Sequence, residues 1–295
     1  MAAQTDFSLT TALSCAPSIG DSPSFSLLPR HLRRLRTAHE RLARELPDCW
    51  CSSAAFPSDE KLVEELERAV GAAGKEGKKG SLRVRLNIDP PGQPHSDSWL
   101  GTVDRTWPLS DPIRLVLDDR PTEYDDPFLR YKTTKRAKYD DARARQGAHD
   151  RVFLLIFADL VDSASVTGAT LQPSSSRSDP PFDVLLFNPR QELTETTIAN
   201  AAFRFSPTKP FITPRADCGL LEGVQRAELL EKGEVVEGVV TVEEVRKAAE
   251  VRLFRARLLR IQELIHASAF QAGTLEIICF NGVRGVYKAC IAPSN

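Results

Sequence analysis

Lys132 and Glu195 are the residues of this chain whose types and settings could do chemistry together. Lys132 stands in the run Phe128-Leu129-Arg130-Tyr131-Lys132-Thr133-Thr134-Lys135-Arg136, and Glu195 in Leu193-Thr194-Glu195-Thr196-Thr197-Ile198-Ala199-Asn200. A lysine amine forms Schiff bases with carbonyl groups and acts as a base once its pKa falls. Arg130, Lys135 and Arg136 would lower that pKa if they point inward. A carboxylate is the counter-charge that keeps a ring nitrogen protonated, so that the ring accepts electrons. Taken singly, Lys132 is one cation in a basic run and Glu195 an acid beside Glu192 in a turn, and a solvated surface would suit either.

A third stretch, Phe211-Ile212-Thr213-Pro214 followed by Cys218-Gly219-Leu220-Leu221-Glu222-Gly223-Val224-Gln225-Arg226, joins these two. In order, the three resemble the K-T-x-x-R, V-T-E-x-x-x-A-N and T-P…GLL-x-G-x-x-R segments of the fold-type IV pyridoxal-phosphate enzymes. This is the class IV aminotransferase family, and the aminodeoxychorismate lyase branch is the nearest match. The resemblance implies an α/β (α+β) architecture of two domains, a small N-terminal α/β domain and a larger C-terminal domain, with pyridoxal 5'-phosphate between them. It makes Lys132 the catalytic, cofactor-bearing residue and Glu195 the partner of the pyridinium nitrogen.

His31-Leu32-Arg33-Arg34-Leu35 is similar to the family's H-[IL]-x-R-L helix, which makes Arg34 a phosphate ligand. A guanidinium suits bidentate phosphate contact better than an ammonium does. Val224 and Gln225 would donate backbone amides where Gly223 opens a helix, a favourable site for an anion. Asn281 matches a polar residue that reaches the phosphate in the lyase branch, and Arg284 could pair with a substrate carboxylate; both equally suit a turn. Residues 7–13 resemble the family's F-E-T strand without its glutamate, and Thr10 and Thr11 are candidates for the pocket wall.

On the lyase resemblance the expected reaction converts 4-amino-4-deoxychorismate to 4-aminobenzoate, a folate precursor, and pyruvate. A transaminase acting on D- or branched-chain amino acids would share Lys132, Glu195 and Arg34. The turn Asn281-Gly282-Val283-Arg284 is more similar to the lyase branch than to the G-T-A-type turn of branched-chain transaminases. A non-catalytic or failed gene product is the third alternative, because two stretches read as inserts. One lies within 151–181. The other, at 255–280, parts Glu250-Val251-Arg252-Leu253-Phe254 from Asn281-Gly282-Val283-Arg284-Gly285, read as two halves of one family motif. Long loops inside compact domains are uncommon, and one or both stretches are expected to be retained intron sequence.

The 295 residues, 41% hydrophobic and 27% charged, suffice for one large or two ordinary domains. A formal net charge of -1 and a pI near 6.5 give no global basic field, so neither nucleic acid nor an anionic membrane is an expected partner. Family members are commonly homodimers, which makes a homodimer the expected assembly around a small-molecule substrate. Six scattered cysteines without a secretory signal pattern favour the reducing cytoplasm. Cys49-Trp50-Cys51 lacks a second ligand pair and the five histidines form no close pair, so no metal is expected. The apolar run at 152–161 is about half the length of a bilayer span. No G-x-G-x-x-G, Walker, H-E-x-x-H or G-x-S-x-G motif occurs.

The elements that must position the chemistry follow from periodicity. Leu32, Leu35, Leu42 and Leu46 predict an amphipathic helix over 29–46 behind Pro29, with its arginines forming mostly a solvated face. A second helix is expected over 59–73, ended by the glycine- and lysine-rich 74–80. Leu82, Val84, Leu86 and Ile88 alternate with Arg83, Arg85 and Asn87, a half-buried strand stopped by Pro90-Pro91-Gly92. Ile113–Leu117 and Asp183–Phe187 read as further strands, and a helix runs through Ala144. The acidic, proline-containing 121–127 reads as a linker between domains at 1–120 and 128–295.

Overall fold

The computed structural model describes residues 6–16, 23–75, 81–99, 112–123, 125–148, 182–250 and 275–291. Strand alternation builds the first of its two sheets. In β3 (Leu82–Asp89), Leu82, Val84, Leu86 and Ile88 enter a hydrophobic core, and Arg83 and Arg85 turn to the opposite face. β1 (Leu9–Ala16) runs antiparallel beside it, with Thr10 opposite Asn87, Ala12 opposite Arg85 and Ser14 opposite Arg83. β2 (Ser24–Phe25) and β4 (Gln93–Trp99) complete the order β2-β1-β3-β4. The sequence of β4 is polar, contains a proline and shows no period. Its pairing comes from the hairpin around Pro90-Pro91-Gly92, where Gly92 adopts φ 87°.

Two helices cover the apolar face of this sheet. α1 (Leu28–Glu45) buries His31, Leu32, Leu35, Ala38, His39 and Leu42, one stripe at helical spacing. Arg33, Arg36, Arg41 and Arg44 are exposed, as expected of a solvated face, but Arg34 is drawn partly inside. α2 (Asp59–Lys75) contributes Leu62, Leu66, Ala69 and Ala73, and the core closes on Phe7, Leu9 and Leu13.

The second sheet has eight strands in the order β10-β9-β8-β11-β12-β5-β6-β7. In chain order these are β5 (Ile113–Leu117), β6 (Asp183–Phe187), β7 (Leu193–Thr196), β8 (Asn200–Arg204), β9 (Phe211–Pro214), β10 (Val235–Gly238), β11 (Glu276–Asn281) and β12 (Gly285–Ile291). Helices α3 (Pro127–Arg130), α4 (Ala137–Arg145) and α5 (Val224–Glu231) flank it, and a further helix occupies 242–250. Leu115, Leu185, Phe203 and Cys279 are fully buried in its core.

Two sequence expectations are corrected here. Ile113–Leu117, assigned to the N-terminal side of the linker, hydrogen-bonds in parallel between β6 and β12, so the chain is already in the second sheet at residue 113. The strand leading to Asn281 is Glu276–Asn281 itself, paired without a break to β8 and to β12. Residues 276–280 are therefore part of the sheet rather than of an insert, and residue 250 lies in a helix instead of opening that strand. The remainder of both proposed inserts, 151–181 and 255–274, and the apolar run at 152–161 lie outside the described residues.

The sheets are joined at Lys132. The Thr10 amide donates to the Lys132 carbonyl (3.0 Å), the Thr134 amide donates to the Ser8 carbonyl (3.0 Å), and Leu9 and Thr133 form a β-bridge. On either side of this staple, Tyr131 donates to Glu45 of α1 (2.6 Å) and Ser8 N donates to Thr134 Oγ1 (2.9 Å).

Candidate active site

A cavity of about 540 Å³ opens between the two sheets, and Lys132, Glu195 and Arg34 all line it. Residues 63 apart in sequence meet because β1 staples the Lys132 segment while β7 delivers Glu195 from the second sheet. Burial pulls the Lys132 amine down to about 7, helped by the nearby Arg34 and Arg136, with Glu195 acting in the opposite sense.

Glu195 is buried and its carboxyl is held at both oxygens. Oε1 accepts from the Tyr139 hydroxyl (2.7 Å) and the Leu221 amide (3.0 Å), and Oε2 accepts from Asn200 Nδ2 (3.2 Å). Burial raises this carboxyl to about 7, against the pull of Tyr139, Leu221 and Lys132. Asn200 also donates to the Leu221 carbonyl (2.8 Å), tying β8 to the approach of α5.

The anion-binding end of the cavity is assembled from α1, β1 and α5. Arg34 donates to Thr11 Oγ1 (2.7 Å), and the Thr11 hydroxyl lies 2.6 Å from His31 Nδ1. Which of the two donates follows the His31 tautomer, because the Thr11 oxygen has a second lone pair beside the one that accepts from Arg34. Burial, then Arg34 and Lys132, holds His31 well below the usual imidazole range, and burial lowers Arg34 to about 10. Arg34 Nε and His31 Nε2 are buried without a hydrogen-bond partner among the described residues. α5 begins at Val224 after Gly223 with no side-chain cap, so the amides of Val224 and Gln225 have no intrahelical acceptor. An orphaned guanidinium nitrogen and a helix N-terminus in one cavity fit a phosphate group.

The other expected residues divide. Thr10 lines the cavity and donates to Asn87 Oδ1 (2.6 Å). Thr11 lies on the opposite face of β1, so it supports Arg34 from behind rather than forming the pocket wall. Asn281 lines the cavity, but its Oδ1 accepts from the amides of Val283 (3.0 Å) and Arg284 (2.8 Å) and its Nδ2 donates to the Ile198 carbonyl (3.3 Å). Its side chain thus closes the β11–β12 turn instead of reaching a phosphate. Arg284 lines the cavity, its guanidinium 4.9 Å from the centre of the Phe182 ring.

Sequence reasoning gave no role to Tyr139, Arg83, Arg85 or Arg143, all of which line the cavity. The signal for Arg83 and Arg85 was present in the β3 alternation. Among the described residues, eight basic residues and two carboxylates, Asp140 and Glu195, line this space. Such a field favours an anionic ligand with more than one acidic group.

Residues 165–256 match the family described as amino-transferase class IV. Over that stretch the chain is similar to the class IV aminotransferase family. This family is pyridoxal-phosphate dependent. A Schizosaccharomyces pombe protein named "Putative aminodeoxychorismate lyase" is 27% identical over 234 residues, 78% of this chain and 80% of that protein. Among solved structures, a "Putative amino-acid aminotransferase" from Mesorhizobium loti superposes with a TM-score of 0.66 at 22% identity, covering 97% of this chain and 100% of that one. The 4-amino-4-deoxychorismate lyase of Pseudomonas aeruginosa superposes with a TM-score of 0.57 at 16% identity, covering 98% of this chain and 84% of that one. The class IV aminotransferase fold therefore spans both described sheets. Among the described residues no helix is long and apolar enough to cross a membrane, and no cluster of His, Cys, Asp or Glu is placed to hold a metal.

Proposed function

We propose that this protein is a pyridoxal 5'-phosphate-dependent lyase converting 4-amino-4-deoxychorismate to 4-aminobenzoate and pyruvate. The observation that carries the reading is the convergence of Lys132, Glu195 and the Arg34–α5 anion cradle on one cavity. Bound there, the cofactor supplies an electrophilic carbonyl carbon and an electron-accepting ring. Lys132 would hold it through Nζ, Glu195 would serve its ring nitrogen, and Arg34 with the Val224 and Gln225 amides would hold its phosphate. A protonated ring nitrogen there would favour the Glu195 carboxylate form, as Lys132 and Arg136 already do.

Once the substrate's amine has displaced it from the cofactor, the freed Lys132 amine, which burial lowers to about 7, would take the proton from the amine-bearing carbon of the substrate. Cleavage of the carbon–oxygen bond to the enolpyruvyl group then aromatises the ring, and Lys132 returns a proton to the departing enolpyruvate, which leaves as pyruvate. The substrate carries two carboxylates, and the arginines of β3 together with Arg284 give the cavity the matching charge.

The similarity to an amino-acid aminotransferase supports a second reading, a transaminase using the same Lys132, Glu195 and Arg34. Borohydride reduction of the purified yellow protein followed by peptide mapping tests the shared step: the reduced cofactor is expected on Lys132, and its absence there would overturn both readings. Release of pyruvate and 4-aminobenzoate from aminodeoxychorismate identifies the lyase. Formation of glutamate from 2-oxoglutarate with D-alanine or L-leucine identifies the transaminase. The same reading takes the active species to be a homodimer, which light scattering of the purified protein checks.

A further inference from the structure

The two halves of the anion cradle sit on different parts of the fold, Arg34 on α1 over the first sheet and the Val224 and Gln225 amides at the start of α5 beside the second. An ion-pair group joins these helices one turn away from both. Arg30, four residues before Arg34, donates through Nε to Glu228 Oε2 (2.8 Å) and through its other guanidinium nitrogen to Glu231. Glu228 lies four residues after Val224, and it also pairs with Lys232 (2.8 Å). The side chains of Arg30 and Glu228 are each only 19% exposed, so this link is shielded more than an ordinary surface pair. A second contact between the helices lies at Gly282. A Cβ there would stand 2.8 Å from both His31 Nε2 and Val224 Cγ2, so α1 and α5 close on that glycine from two sides.

We propose that Arg30 is a positioning residue that clamps α1 to α5 and thereby sets the spacing between the Arg34 guanidinium and the α5 amides. The inference rests on the cofactor reading above and extends it to a residue that touches no ligand. A guanidinium and a helix N-terminus bind one phosphate well only at a fixed separation, and small displacements of positioning groups are costly. Without the clamp the two helices remain packed, but the separation is free to vary. The loss therefore falls on recognition of the phosphate and not on the rest of the cofactor.

The test is a titration of cofactor-free wild-type protein and Arg30→Ala with pyridoxal 5'-phosphate and, separately, with pyridoxal. The variant is expected to weaken binding of the phosphorylated compound about tenfold, within the range of contacts that act at a distance from the ligand, and to leave pyridoxal unchanged. The double variant Glu228→Gln/Glu231→Gln should reproduce the effect, and it carries the test if Arg30→Ala fails to fold. Equal loss for both compounds, or loss for neither, would overturn the clamp. A wild-type protein that does not prefer the phosphorylated compound would instead overturn the cofactor reading, and the clamp with it.

Discussion

The Tyr139 hydroxyl donates a 2.7 Å hydrogen bond to Oε1 of Glu195, and both residues are buried. Burial and the adjacent carboxyl push the Tyr139 phenol well above its ordinary range, so it remains a donor throughout the physiological window. Its bond opposes the burial that raises Glu195 to about 7. Tyr139→Phe should therefore raise the Glu195 carboxyl further, by about one unit, the scale of a hydrogen bond to a charged group. Carboxyl carbon NMR on the cofactor-free protein reads this directly. A titration identical to the wild type would show that Tyr139 does not hold the carboxylate.

The Lys132 and Glu195 shifts carry opposite stability consequences. Glu195 is raised from 4.5 to about 7, so its contribution to stability is complete below about 4.5 and is lost as pH rises through about 7. Lys132 is lowered from 10.5 to about 7, so its contribution is complete above about 10.5 and is lost as pH falls through about 7. In the cofactor-free protein Glu195→Gln should gain melting temperature relative to wild type as pH rises from 4.5 to 8. Lys132→Met should gain as pH falls from 9 to 6. Each gain corresponds to up to about 3 kcal/mol of unfolding free energy. Melting curves that stay parallel to wild type across these ranges would contradict the assigned environments.

The periodic parts of the fold were legible in the sequence. The stripe of α1 and the alternation of β3 each follow from one period, and the Lys132 and Glu195 segments stood out by their order along the chain. β4 was not legible, because its pairing is imposed by β3 and its own residues carry no pattern. The placement of Ile113–Leu117 was not legible either, since a short apolar strand does not reveal which sheet it joins. The motif that seemed split before Asn281 misled for a related reason: Glu276-Ile277-Ile278-Cys279-Phe280 is an apolar run that shows its role only through its pairing with β8 and β12. Within the site, the cations could be read from sequence, but their convergence depends on the staple between Thr10 and Lys132.

Gly223 is required by a side chain rather than by its own backbone. Its φ of -70° is open to any residue, yet a Cβ there would lie 2.1 Å from Asn200 Oδ1. Asn200 cannot withdraw without loosening its bonds to Glu195 and to the Leu221 carbonyl. Gly223→Ala should cost about 2 kcal/mol of stability, in the range of a broken buried network. Adding Asn200→Ala should cost less than the sum of the single changes, because it removes the clash. Denaturant unfolding of the four proteins measures the coupling, and strict additivity would mean that the glycine is retained for another reason.

Arg83 and Arg85 occupy alternate positions of β3 and meet the cavity across from the small side chains Ser14 and Ala12 of β1. Little bulk from β1 therefore screens these guanidinium groups from a ligand. Arg83 is also close enough to Lys132 to lower the pKa of its amine. The two positions should separate kinetically if both face substrate carboxylates. Arg85→Ala should raise KM for the proposed dicarboxylic substrate about tenfold or more, as expected for a lost charge-assisted contact, with kcat nearly unchanged. Arg83→Ala should raise KM similarly and also move the acidic limb of the kcat profile to higher pH, because the lysine freed in the substrate complex loses a nearby cation and holds its proton more tightly. Steady-state kinetics across pH 6 to 9 distinguishes them, and a KM unaffected in both variants would remove the β3 arginines from substrate recognition.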